Sequence, residues 1–188
     1  YNDVDMDAVF DPGEGLANWP FHIAGPGVSM DVVTGADGCV TVEDLAEDTY
    51  TVTESIPTPN ANGNFDFWRR RWHAFTDPVQ TVFAACGETS HVTFRNVCLG
   101  SITVCKFNDQ NMDGVRQGGE NGISGWPVRL VGTKANGDPV GPTNVLTASD
   151  GCYKFADLFP GVYNVSEEGN GIAWERVQSD CATGTYCD

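Results

Sequence analysis

The chain is short of cations and carries no catalytic signature. Lys and Arg number 10 against 26 Asp and Glu, a net charge of -16 over 188 residues. Such a surface repels phosphate backbones and anionic lipid, which excludes nucleic acid as a partner. No apolar run approaches the roughly twenty residues of a transmembrane helix, and no signal peptide opens the sequence, which reads as a mature or excised segment. There is no G-x-S-x-G, H-E-x-x-H, P-loop or dinucleotide fingerprint. His22, His73 and His91 share no spacing with one another or with a nucleophile, so an enzyme is not expected. Cysteines stand at 39, 86, 98, 105, 152, 181 and 187 without a C-x-x-C. That argues against a zinc–thiolate site and for disulfides in an oxidising, extracellular setting, with one cysteine left over.

What is present is acidic, glycine-rich and repetitive, and its abundant Thr and Val point to an all-β chain. Residues 109–120, D-Q-N-M-D-G-V-R-Q-G-G-E, fit the EF-hand-type calcium loop D-x-[DN]-x-[DN]-G-x₅-E. Asp109, Asn111 and Asp113 turn alternate oxygens toward one hard cation, and Gly114 makes the sharp turn. Val115 offers a main-chain carbonyl, Gln117 ligates directly or through water, and Glu120 closes the shell with both oxygens. The same frame opens the chain with Asp3, Asp5, Asp7, Val9, Asp11 and Glu14. Two Ca²⁺ ions are therefore expected. Ala8 stands where the second loop has Gly114. A Cβ disfavours φ > 0, so the first loop is expected to take a different path, or to bind more weakly despite its extra charge. The carboxylates of each loop repel one another without a cation, a cost that calcium would relieve.

The repetition extends through the chain. Trp19-Pro20 is matched by Trp126-Pro127, and A-D-G-C-V-T-V-E-D-L at 36–45 by S-D-G-C-Y-K-F-A-D-L at 149–158. Tyr50 and Tyr163 follow at equal distances and lead through alternating residues to Glu54 and Glu167. The expected organisation is two copies of one module, 1–98 and 99–188. Alternation marks short strands at 39–42, 50–53, 91–94, 102–107 and 152–155, separated by turn dipeptides such as Asp37-Gly38 and Asp150-Gly151. Strands of this length build β-sandwiches. A strand precedes the second loop and none precedes the first, while the V-T-F-R-N run at 92–96 has no evident counterpart in the second copy. Flanking repeats or a neighbouring subunit could supply the missing strands. Both readings imply self-association in a head-to-tail filament or tandem array.

Lys106-Phe107-Asn108-Asp109, Asn111, Asp113-Gly114, Gly119-Glu120, Gly122-Ile123 and Gly125-Trp126 together resemble the calcium-binding B-type domains of serine-aspartate-repeat surface adhesins. So do Asp150-Gly151, Tyr153, Phe155, Leu158, Pro160-Gly161, Tyr163, Val165 and Glu167. The resemblance implies two tandem immunoglobulin-like or prealbumin-like β-sandwiches acting as stiff stalks at the cell surface. The related collagen-adhesin B-type domains build pilus shafts, and L-x-x-G-x-Y-x-x-x-E at 158–167 resembles their E-box. That likeness implies a carboxyl, Glu54 or Glu167, promoting an amide crosslink between a first-strand lysine and a last-strand asparagine. Lys106 and Asn96 stand in those places, in different modules, and Asp48 replaces the box glycine in the first copy. The cluster Phe65-Asp66-Phe67-Trp68-Arg69-Arg70-Arg71-Trp72-His73 gives the alternative, an adhesive module binding a glycan or protein between Trp68 and Trp72. Against it stands an insertion whose aromatics cover the sandwich while its arginines pair with carboxylates.

Overall fold

Strands and no helix make up the ordered structure of residues 1–55 and 71–169, the residues that the computed structural model describes. In chain order they are β1 (Pro20–Gly25), β2 (Val28–Val33), β3 (Asp48–Glu54), β4 (Arg71–Ala74), β5 (Val79–Ala84), β6 (Asn96–Cys105), β7 (Pro127–Lys134), β8 (Pro139–Leu146), β9 (Cys152–Leu158) and β10 (Gly161–Glu167). The fold is all-β. Among the described residues no helix is long and apolar enough to cross a membrane. Two compact units form: the first holds 1–100 with 134–138 and 157–161, and the second holds the other described residues.

In the first unit an antiparallel sheet runs in the order β2-β1-β3-β5. Ile23 faces Val52 across β1 and β3, and the two-residue period turns Ile23, Tyr50 and Val52 to one face. They pack with Phe94, and Val42, Leu45 and Val92 close the same core from outside this sheet. Gly25 lies under the Tyr50 ring, where a Cβ would fall 2.3 Å from a ring carbon. The second unit repeats the plan with β10-β7-β8, and Gly132 lies under Tyr163 in the same way. Trp19 and Trp126 are buried at equivalent points. Their backbone N–H groups donate to the Thr34 and Thr147 hydroxyls at 2.9 Å, and those hydroxyls donate onward to the carbonyls of Leu16 and Ile123.

Two expected strands are absent. Residues 39–42 and 91–94 take no sheet partner, whereas 152–155, which carry the same sequence pattern as 39–42, lie within β9. The reason is the neighbour. β9 lies beside β6, and an extended segment becomes a strand only when another backbone satisfies its N–H and C=O groups. The alternation at 39–45 and 91–94 is still used, since Val42, Leu45, Val92 and Phe94 face the core. The strand expected at 102–107 starts earlier, at Asn96, because β4 pairs with its first residues, Ala74 opposite Asn96 and Arg71 opposite Leu99.

Candidate metal centres

The two acidic loops share a set of equivalent backbone-to-carboxylate hydrogen bonds. In the first, Val4 N–H donates to Glu14 Oε1 at 2.9 Å; in the second, Gln110 N–H donates to Glu120 Oε1 at 2.9 Å. The Asp7 and Asp113 amides bond the Oδ1 atoms of Asp3 and Asp109 at 3.1 and 3.3 Å. The Ala8 and Gly114 amides bond their Oδ2 atoms at 3.1 and 2.8 Å. Val9 and Val115 donate to Asp7 and Asp113, and Asp11 and Gln117 donate to Oε2 of the closing glutamates at 3.1 and 3.0 Å. Backbone amides thus hold the first, fifth and twelfth side chains in place before any cation arrives.

The backbone torsions agree as well. Met6 and Met112 adopt φ of 62° and 63°, and Ala8 and Gly114 adopt 69° and 77°. The expectation that Ala8 would force a different path is therefore corrected: Ala8 takes the left-handed conformation that Gly114 takes, at the steric cost a Cβ brings there.

The loops differ in charge. Carboxylate oxygens of Asp3, Asp5 and Asp7 lie within 4.8 Å of one another. Asp3 is fully buried and its Oδ2 accepts from Arg95 Nε. Burial alone would raise its pKa; the Arg95 hydrogen bond and the Ala8 amide outweigh that and hold it below the ordinary value. Asp5 is pushed the other way, by desolvation in the loop and by the charge on Asp7. In the second loop amides intervene: Asn111 Nδ2 donates to Asp113 Oδ2 at 2.9 Å, and Gln117 Nε2 donates to the same oxygen. With the Val115 amide as the leading cause, these bonds lower the Asp113 pKa. Both donor sets are oxygen-only, without imidazole or thiolate, and they fit a hard cation such as Ca²⁺. Arg95 was not foreseen, because its pairing spans 92 positions in sequence and no local pattern marks it. It also stacks over Phe75, 4.2 Å from the ring centre.

The groups named for an amide crosslink are divided between the units. In the first unit, Asn96 Nδ2 donates to Glu54 Oε1 at 2.5 Å, both side chains buried. In the second, Lys106 Nζ donates to Glu167 Oε1 and Oε2 at 3.1 and 3.0 Å, with its ammonium 4.8 Å from the Trp126 ring centre. Each described unit thus holds a carboxyl with one of its two partners. Of the aromatic–basic cluster, Phe65 through Arg70, including Trp68, lie outside the described residues. Trp72 on β4 meets the buried Trp19 edge to face at 5.0 Å, as expected of an aromatic that covers the sandwich. Cys105 and Cys152 form a disulfide; Cys39, Cys86 and Cys98 are free, and Cys181 and Cys187 lie outside the described residues.

Residues 100–185 match the SdrD B-like domain model. The chain is 31% identical over 147 residues to serine-aspartate repeat-containing protein F of Staphylococcus epidermidis, covering 73% of this chain and 8% of that protein. It is 36% identical over 67 residues to Colossin-B of Dictyostelium discoideum, covering 34% of this chain and 2% of the other. The chain thus spans under a tenth of these relatives. Among solved structures it is similar to the Bacillus anthracis TIE protein (TM-score 0.41, 19% identity, 83% of this chain and 26% of that one). It is also similar to a streptococcal ancillary pilin (TM-score 0.35, 16% identity, 81% and 48%).

Proposed function

We propose that this chain, whose residues 100–185 match the SdrD B-like domain model, is an extracellular structural segment of the kind that B-type repeats form in bacterial surface adhesins. Its two β-sandwich units are stiffened by calcium and serve in a cell-surface stalk or filament built from such units head to tail, with strand donation between neighbours as one means of joining. The observation that carries this reading is the duplicated loop: two sets of oxygen ligands held by equivalent backbone hydrogen bonds. A bound cation would offset the repulsion among Asp3, Asp5 and Asp7 and tie the start of each unit to the residues that follow. At calcium a hundredfold above Kd, each site adds about 2.7 kcal/mol, a large share of a small domain's stability. The function proposed is mechanical.

Calorimetry of the chain with calcium and with chelator tests the reading: melting should fall on chelation, and an unchanged melt would remove calcium from the account. Electron microscopy of native material should show regular filaments or stalks, whereas dispersed monomers would overturn the assembly.

A further inference from the structure

The β1–β2 hairpin of the first unit brings together three side chains that match no motif in the sequence. Pro26-Gly27 joins the two strands, and Gly27 takes φ of 73°, a left-handed torsion that glycine adopts freely. The turn sets the register: Gly25 lies opposite Val28, Ala24 opposite Ser29 and His22 opposite Asp31. Ile23 is buried in the core, and strand side chains alternate, so its neighbour His22 lies on the outward face of the sheet. Asp31, directly opposite, shares that face. Ser29 shares it too, two residues back along β2 and diagonal to His22.

The three groups stand in line. His22 Nδ1–H donates to Asp31 Oδ1 at 2.7 Å, and the Ser29 hydroxyl donates to His22 Nε2 at 3.4 Å. An ionised carboxylate can only accept, so the neutral imidazole keeps its proton on Nδ1 and turns the lone pair of Nε2 to the hydroxyl. Ser29 and Asp31 are exposed and His22 is half-buried. Solvent therefore reaches the hydroxyl while the sheet holds the ring. A cross-strand pair that only fastened the hairpin would be complete with His22 and Asp31. Here the second ring nitrogen faces a hydroxyl, which gives the order carboxylate, imidazole, hydroxyl of an activated nucleophile.

We propose that Ser29 is an acyl-acceptor site, a hydroxyl that takes the acyl group of an activated ester of a small carboxylic acid. Ser29 Oγ attacks the carbonyl carbon as its proton passes to His22 Nε2. The bond from that carbon to the leaving oxygen then breaks. The departing oxygen keeps the electron pair and takes the proton from His22, so the products are the Ser29 ester and a free alcohol. No oxidant, reductant or metal enters. Asp31 is a positioning residue: it fixes the Nδ1–H tautomer and offsets the positive charge on the ring while the tetrahedral adduct exists. The face is open, so the donor is defined by its activated carbonyl and small size rather than by a fitted pocket. This modification is stoichiometric. It goes beyond the mechanical reading and uses none of the loop residues.

The test incubates the intact chain with p-nitrophenyl acetate, reading nitrophenolate release and mapping the acetyl group by mass. The expected product is an acetyl ester on Ser29, formed about a hundredfold faster than at any other serine or threonine. Hydroxylamine should remove it while sparing acetyl amides on lysine. Ser29→Ala, which leaves the His22–Asp31 pair in place, should abolish the fast phase of release. His22→Gln should bring Ser29 down to the level of the other hydroxyls, and Asp31→Asn should slow it about tenfold by freeing the tautomer. Acetylation spread evenly over the hydroxyls or a Ser29 rate unchanged in His22→Gln would each overturn the proposal. So would a fast phase that survives Ser29→Ala, the result of direct attack by the imidazole.

Discussion

Residues 37–45 and 150–158 carry one pattern, an Asp-Gly turn, then cysteine, then alternating apolar side chains, yet only the second goes on to form a strand, from Cys152. The sequences are equally suited to β structure. What separates them is that β6 lies beside one, and no strand among the described residues pairs with the other. The lesson is that alternation sets which side chains face the core, while hydrogen bonding to a neighbour decides whether the segment is a strand.

The most sensitive way to break this comparison is hydrogen exchange on the unmodified chain. Amides at 153–157 should exchange about a thousandfold more slowly than those at 40–45; equal rates would mean that the neighbour is not the cause. Next comes Cys105→Ser. The disulfide it removes spans 47 positions, which by loop entropy costs the second unit about 4 kcal/mol. Denaturant melts should show one transition shifted and the other in place. If both move, the two units do not unfold separately.

Arg95→Met sharpens the contrast between the loops. It leaves Asp3 as a buried charge without its cation, a loss of about 3 kcal/mol, and added calcium should recover much of it. Asp3's folded pKa is depressed, so its contribution is present above the unfolded value and is lost as pH falls through the folded one. The variant's acid melt should lack that step. An acid transition identical to the parent's would show that Arg95 does not hold Asp3. The smallest effect belongs to the turn: Ala8→Gly should stabilise by about 1 kcal/mol and Gly114→Ala destabilise by a similar amount. Thermal melts that move in the same direction would contradict the shared torsion.

Much of this was legible in the sequence because the module occurs twice. The paired acidic loops, the Trp–Pro starts, the Asp-Gly-Cys turns and the all-β class all follow from residues close together in the chain. What was not legible depends on distant pairing. The strand status of 39–42 turns on a neighbour, and Arg95 reaches Asp3 across nearly the whole first unit. The path of Ala8 was misjudged because a rule about Cβ sterics is a preference of about 1 kcal/mol, which six or more aligned amide–carboxylate bonds in one loop override.

That leaves the claim on which the account stands, that both loops are calcium sites of one design. Charge count argues that the first loop, with five carboxylates against three, binds the tighter. Calcium titration calorimetry of the intact chain tests this most directly. The expected result is two ions bound, falling to one in Glu14→Gln and to one in Glu120→Gln, with the first substitution removing the tighter site. No heat of binding, or a stoichiometry that neither substitution changes, would contradict it.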